Sequence, residues 1–286
     1  MQTSLVILRP LLVLLLLLPA GCAKSPSGSS SSPASGPQLI VNMTVAGTIN
    51  PNFYYYILFN VNNTVGADKT STGPIPVVSA ADYTGNGFAA GSFSNYVEYS
   101  GNQGNGTNFD YYLNYPVVVQ QPTNPPSTII HQQSQSLGPG QLIGATVSGD
   151  RKTLTFQLPL AYLATSNYKQ LTSNITVDNI NTLQINFVTT NFLPVPGAEL
   201  STPKYFDTLY NNGQIAFAPL LVRDTSGNLM PSNYSSSASG YNGGSVSQDV
   251  NGGYVPVTGP ISGPGGSGDA TDLQITGWTI TLTAGS

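Results

Sequence analysis

From Leu39 onward the chain alternates apolar and polar residues in short runs separated by Gly, Asn and Pro, the pattern of half-buried β-strands. The runs predict strands near residues 39–46, 53–61, 93–99, 109–119, 142–148, 153–158, 183–189, 214–222 and 273–283. In the sixth of these, Leu154, Phe156 and Leu158 fall on one face while Thr153, Thr155 and Gln157 fall on the other. In the last, Leu273 and Ile275 alternate in one phase and Trp278, Ile280 and Leu282 in the other. Gly277 sits at the change of phase, which predicts a β-bulge. No window of eleven or more residues holds a helical period, and the best helical turn is residues 159–164, where Pro159 suits a first helical position. Short strands with turn signals and no helices between them predict an all-β fold, an antiparallel β-sandwich of jelly-roll or Ig-like type. Residues 232–268, almost all Ser, Gly, Asn and Pro, read as a long surface loop inside that domain.

The N-terminus follows a different pattern. Leu11 to Leu18 is an unbroken apolar run preceded by Arg9, and Pro19-Ala20-Gly21 leads from it to Cys22. Even counted back to Leu5 the stretch is shorter than the ~20 residues that span a bilayer, so it reads as a removable leader. Leu18-Pro19-Ala20-Gly21-Cys22 resembles the lipobox of bacterial lipoproteins, with Pro19 where an aliphatic residue is usual. That resemblance implies a diacylglyceryl group on the Cys22 thiol, cleavage before Cys22, and a cell-envelope location outside the cytoplasm. With Ala23 rather than Asp next, it implies the outer membrane if the cell has two. Residues 23–37 are a Ser/Gly/Pro tract that cannot bury apolar surface and predicts a disordered, flexible tether. The expected organisation is thus a leader over 1–22, a tether over 23–37 and one sandwich domain over 38–286.

Composition narrows the function classes. Charged residues make up 7% of the chain and the net charge is −4. A nucleic-acid partner therefore lacks the basic surface it needs. One cysteine excludes an intramolecular disulfide framework or a cysteine zinc cluster, and one histidine excludes a His-rich metal site. No cofactor motif is present. Abundant Asn, Thr, Ser, Gly and Tyr fit a protein exposed outside the cytoplasm.

Three segments carry a family resemblance. The first is Phe53-Tyr54-Tyr55-Tyr56-Ile57-Leu58-Phe59-Asn60-Val61-Asn62-Asn63 followed by Thr72-Gly73. The second runs from Gly149-Asp150-Arg151-Lys152 to Leu158-Pro159-Leu160, and the third from Leu183 to Thr190 with Lys204 and Asp207 downstream. Together they resemble bacterial extracytoplasmic β-sandwiches related to family 9 carbohydrate-binding modules and DOMON-like domains. The resemblance implies a ligand-binding sandwich. It departs in having Asn60, Asn62 and Asn63 where charged calcium ligands are expected, and Trp278 alone where a pair of tryptophans clamps a sugar.

Several residues are candidates for chemistry. His131 lacks an activated serine, since neither Gly91-Ser92 nor Gly244-Ser245 sits in a nucleophile elbow. Glu98 and Asp110 lie on expected neighbouring strands and could face each other, as a glycosidase pair requires, though a chance pairing explains them as well. Asp269 and Asp272 read as turn chemistry before the last strand, with calcium ligation as the alternative. No catalytic and no metal-binding residue is assigned. Tyr54, Tyr56, Tyr96, Tyr111 and Trp278 are the candidates for an aromatic platform that stacks on glycan rings or docks a protein, against the reading that they pack in the core. The sequence favours a membrane-anchored, non-catalytic envelope surface protein that binds glycan or another envelope component. The alternative is a structural or assembly lipoprotein that binds neighbouring proteins and no small ligand.

Overall fold

The computed structural model describes residues 36–65, 73–76, 89–90, 92–101, 107–121, 127–192, 204–250, 253–263 and 266–285. The leader, Cys22 and nearly all of the expected tether lie outside them. In chain order the strands are β1 (Gln38–Val45), β2 (Tyr54–Asn62), β3 (Ile75–Pro76), β4 (Ala89–Ala90), β5 (Asn95–Tyr99), β6 (Phe109–Gln121) and β7 (Ser127–Ser136). Next come β8 (Ile143–Val147), β9 (Thr153–Pro159), β10 (Thr182–Thr190), β11 (Lys204–Asn211), β12 (Gln214–Ile215), β13 (Ala218–Leu221) and β14 (Ser232–Ser235). The chain ends with β15 (Asn242–Gly243), β16 (Ser247–Val250), β17 (Gly253–Pro256), β18 (Pro260–Gly263), β19 (Gly266–Asp269) and β20 (Ile275–Thr283).

The smaller main sheet runs β14-β20-β1-β9-β8, and the larger runs β17-β16-β11-β10-β2-β5-β6-β7 with β12, β13 and β15 attached. All of these pairings are antiparallel. One core holds the inner faces of both sheets together. Leu39, Val41 and Met43 of β1, Leu154, Phe156 and Leu158 of β9, and Trp278, Ile280 and Leu282 of β20 meet Tyr55, Ile57 and Phe59 of β2 and Leu183, Ile185 and Phe187 of β10. Phe187 and Trp278 stack across the gap with ring centroids 5.5 Å apart. Alternation gave each of these strands one apolar face, and burying both faces is what drives the sandwich together.

The bulge at Gly277 is present: Thr44 pairs with Gly277, but Val45 pairs with Ile275, one residue out of step. Ile275 and Trp278, three apart, are therefore both buried. The slip frees the Ile275 N–H from the ladder, and Asp207 takes it from the opposite sheet, Oδ2 accepting at 2.7 Å. Asp207 Oδ1 accepts from the N–H groups of Thr208 at 2.8 Å and Gly244 at 3.0 Å. Thr189, its register partner, donates through Oγ1 to the Leu273 carbonyl at 2.6 Å. The two sheets are thus pinned by polar bonds at this corner. Gly243 belongs to the same corner, where a Cβ would overlap the Ile275 carbonyl.

Three readings change. The expected strand over 214–222 is broken into β12 and β13, which pair with different neighbours, β11 and β10. Residues 232–268 are not an unstructured loop: β14 extends the smaller sheet, while β15, β16 and β17 extend the larger one. Their composition hides them because main-chain pairing, rather than an apolar face, holds these short edges. A single helical turn, Ser236–Ser239, also falls there, capped by the Ser235 side chain. The turn expected at 159–164 appears as a 3₁₀ turn over Leu160–Leu163.

Candidate functional site

The register of β2, β5 and β6 sorts the aromatic residues onto two faces. Tyr55, Tyr99, Phe109 and Tyr111 point into the core, whereas Tyr54, Tyr56, Tyr96 and Tyr112 share the outer face of the larger sheet. There Tyr56, Leu58, Phe93, Tyr96 and Val188 form a second buried cluster, with Tyr54 and Tyr112 packed against it. Tyr54 stacks on Tyr56 at 6.3 Å, Tyr96 stacks on Tyr112 at 4.7 Å, and Tyr56 meets Tyr96 edge-on at 6.0 Å. The expected platform is therefore not an open one. Tyr56 and Tyr96 are on the expected face but buried, Tyr111 and Trp278 are core residues, and Tyr54 is half-buried. Alternation told which side each ring faces, but not that the outer side would be covered too.

Glu98 and Asp110 stand directly opposite each other on this face, as their hairpin positions suggested. Both are buried. Burial, then the neighbouring Asp110 carboxyl, raise the Glu98 pKa to about 8, with a hydrogen bond from Tyr56 acting the other way. Asp110 is satisfied by the Ser136 hydroxyl, which donates at 2.6 Å, and by the Tyr111 N–H at 2.8 Å.

Asp269 and Asp272 serve the local structure. Asp269 Oδ1 accepts from the Thr271 N–H and hydroxyl, and Asp272 accepts from the N–H groups of Thr48 and Asp269. These bonds form a reciprocal cap on the 3₁₀ turn Ala270–Asp272. Among the described residues no three His, Cys, Asp or Glu side chains gather as a metal site. His131 lies on β7 opposite Val117.

An open concavity lies beside the aromatic cluster. A cleft of about 230 Å³ opens at the end of β2, where β5 begins and midway along β6, lined among others by Asn60, Phe93, Ser94, Asn114, Thr165 and Ser173. Its walls are held from behind. Asn60 Nδ2 donates to Gln184 Oε1 at 2.6 Å, Asn114 Nδ2 donates to the Phe93 carbonyl at 3.1 Å, and Thr165 Oγ1 accepts from the Ile175 N–H at 2.9 Å. None of the described lining residues is ionisable. Such a wall offers amide and hydroxyl hydrogen bonds beside apolar surface, which suits a small uncharged polar ligand. Sequence reading missed this site because its residues come from five separated segments of ordinary polar composition. Among the described residues no helix is long and apolar enough to cross a membrane. No known protein family, curated protein or solved structure matches the chain.

Proposed function

We propose that this chain is a lipid-anchored, non-catalytic protein of a bacterial envelope surface, whose sandwich binds glycan or another uncharged envelope component. The observation that carries the reading is the cleft beside Phe93 and Asn114: about 230 Å³ of space with no ionisable group among its described lining residues. Hydrolysis of a glycoside calls for two carboxyl groups flanking the bond, and among the described residues the facing pair Glu98 and Asp110 is buried on the same sheet face as the aromatic cluster. Anchoring through Cys22 rests on the lipobox-like leader. Two or more acyl chains hold a protein firmly to a bilayer.

The test is a glycan array probed with the full chain and with Ser173→Trp, a change at an exposed position on the cleft rim. The reading expects binding to at least one neutral polysaccharide, lost in the Ser173→Trp chain at unchanged melting temperature. Absence of any glycan binding by the wild-type chain would overturn the carbohydrate reading and put the assembly role first.

A further inference from the structure

The cleft is walled partly by the larger sheet and partly by a loop tied at both ends. Asn60 comes from β2, Phe93 and Ser94 from the chain just before β5, and Asn114 from β6. Leu171 and Ser173 come from the loop over residues 165–175. Its ends are laced together: the Ile175 N–H donates to Thr165 Oγ1 at 2.9 Å, and the Ser166 N–H donates to the Ile175 carbonyl at 3.1 Å. Inside the loop the Tyr168 N–H donates to the Thr165 carbonyl and the Leu171 N–H to the Tyr168 carbonyl, both at 3.1 Å. The sheet side is equally fixed. The Ser94 N–H donates to the Phe59 carbonyl at 3.0 Å, the Asn114 N–H donates to the Ser94 carbonyl at 2.8 Å, and the Phe93 ring meets Tyr96 edge-on at 6.2 Å. Walls set before a ligand arrives lower the ordering cost of binding it.

Three kinds of group meet on these walls. Phe93, which is buried, and Leu171, which is half-buried, supply apolar surface. Asn60 spends its Nδ2 on Gln184 Oε1 at 2.6 Å and keeps Oδ1 as an acceptor. Thr165 Oγ1 already accepts from Ile175, so its hydroxyl proton is left to donate. An acetamido group, –NH–CO–CH₃, asks for these same three things. Its N–H needs an acceptor, its carbonyl needs a donor, and its methyl needs a dry apolar spot. A bare hydroxyl at that place would use the polar half of the wall and leave the apolar half wet. Size points the same way: drug-sized ligands fill roughly 300–1,000 Å³, and about 230 Å³ suits one sugar residue with its substituent.

We infer that the cleft selects N-acetylated hexose residues, with Asn60 Oδ1 accepting from the acetamido N–H, the Thr165 hydroxyl donating to its carbonyl, and its methyl lying against Phe93 and Leu171. The inference rests on the glycan reading of the proposed function and narrows it to one sugar class. The two polar contacts orient the group but discriminate little, because each replaces a hydrogen bond to water. The methyl carries the preference, since one such group in an apolar spot is worth roughly tenfold or more. A sugar stripped of its acetyl group carries an ammonium, which the Phe93–Leu171 surface rejects because it desolvates the charge.

The test is calorimetry and saturation-transfer NMR of the full chain with the methyl glycosides of N-acetylglucosamine, N-acetylgalactosamine, glucose, galactose and mannose. Leu171→Ala removes apolar wall, and Ser173→Trp, an exposed change on the same loop, blocks the cleft from its rim. The inference expects an N-acetylhexosamine to bind the wild-type chain at least about tenfold tighter than its parent hexose, with the strongest saturation at the acetamido methyl. It expects that preference to fall several-fold in Leu171→Ala and binding to be lost in Ser173→Trp. Hexoses that bind as tightly as both N-acetylhexosamines, or a preference that both variants leave unchanged, overturn the acetamido site and leave glycan binding standing. Silence of all five sugars toward a chain that binds polysaccharide on the array does the same. A wild-type chain that binds neither overturns both readings.

Discussion

Glu98 and Asp110 face each other across β5 and β6 as a buried carboxyl pair, and Tyr56 reaches Glu98 from β2. A proton held on Glu98 turns a repulsive pair into one that can share a hydrogen bond, so this outer face is built to keep a proton.

That proton makes stability depend on pH in a defined direction. Glu98 moves from an ordinary 4.5 to about 8, and Asp207 from 3.8 to about 7, burial being the chief cause for both. Between the ordinary and raised values the folded chain holds protons that the unfolded chain releases. The stabilisation is complete below about pH 4 and is lost as pH rises through 7 and 8. Asp150, Asp224 and Asp269, lowered by local hydrogen bonds, act oppositely only in stronger acid. The melting temperature should be higher at pH 5 than at pH 9, and Glu98→Gln should flatten the upper part of that profile. A melting temperature that climbs from pH 5 to pH 9 contradicts this account.

Asp207 is the polar pin between the sheets. Asp207→Ala leaves the N–H groups of Ile275, Thr208 and Gly244 without their acceptor. At about 1–3 kcal/mol for each buried unsatisfied group, the loss should be at least ~3 kcal/mol in urea unfolding. Asp207→Asn keeps one acceptor oxygen and should cost less. Equal stability of wild-type and Asp207→Ala chains would mean that the corner closes without the pin.

Tyr56 separates packing from platform. It is fully buried in the outer cluster, so Tyr56→Ala should cost about 3–5 kcal/mol, as large core truncations do. Half-buried Tyr54 should cost much less. A Tyr56→Ala chain that melts like wild type while losing glycan binding would restore the platform reading.

Gly243→Ala should also destabilise the fold, since the added methyl meets the Ile275 main chain rather than a yielding side chain. Thermal denaturation should place it below Gly149→Ala, where the same methyl enters open space.

Strands with one apolar face were legible in the sequence, including the bulge at Gly277, because burial of that face leaves a period-two record. β11 escaped because Asp207 occupies an inward position where an apolar residue would complete the alternation. β7 and β14 to β17 escaped because their partners are held by main-chain bonds and their compositions are those of loops. The facing of Glu98 and Asp110 was legible from hairpin spacing. The burial of Tyr56 and Tyr96 was not, since it depends on packing against the outer face of the sheet. The cleft was invisible for a related reason: Asn60, Phe93, Asn114, Thr165 and Ser173 meet only after the strands are in register.

The most direct test of the account is the membrane fractionation of the wild-type chain and Cys22→Ser after a high-salt wash. A hydroxyl cannot replace the thiol in acyl transfer. The account predicts wild-type protein in the membrane fraction, with the mass of an acylated chain beginning at Cys22, and unacylated Cys22→Ser protein released from it. Equal retention of both chains, or a mature wild-type chain without lipid, would contradict it.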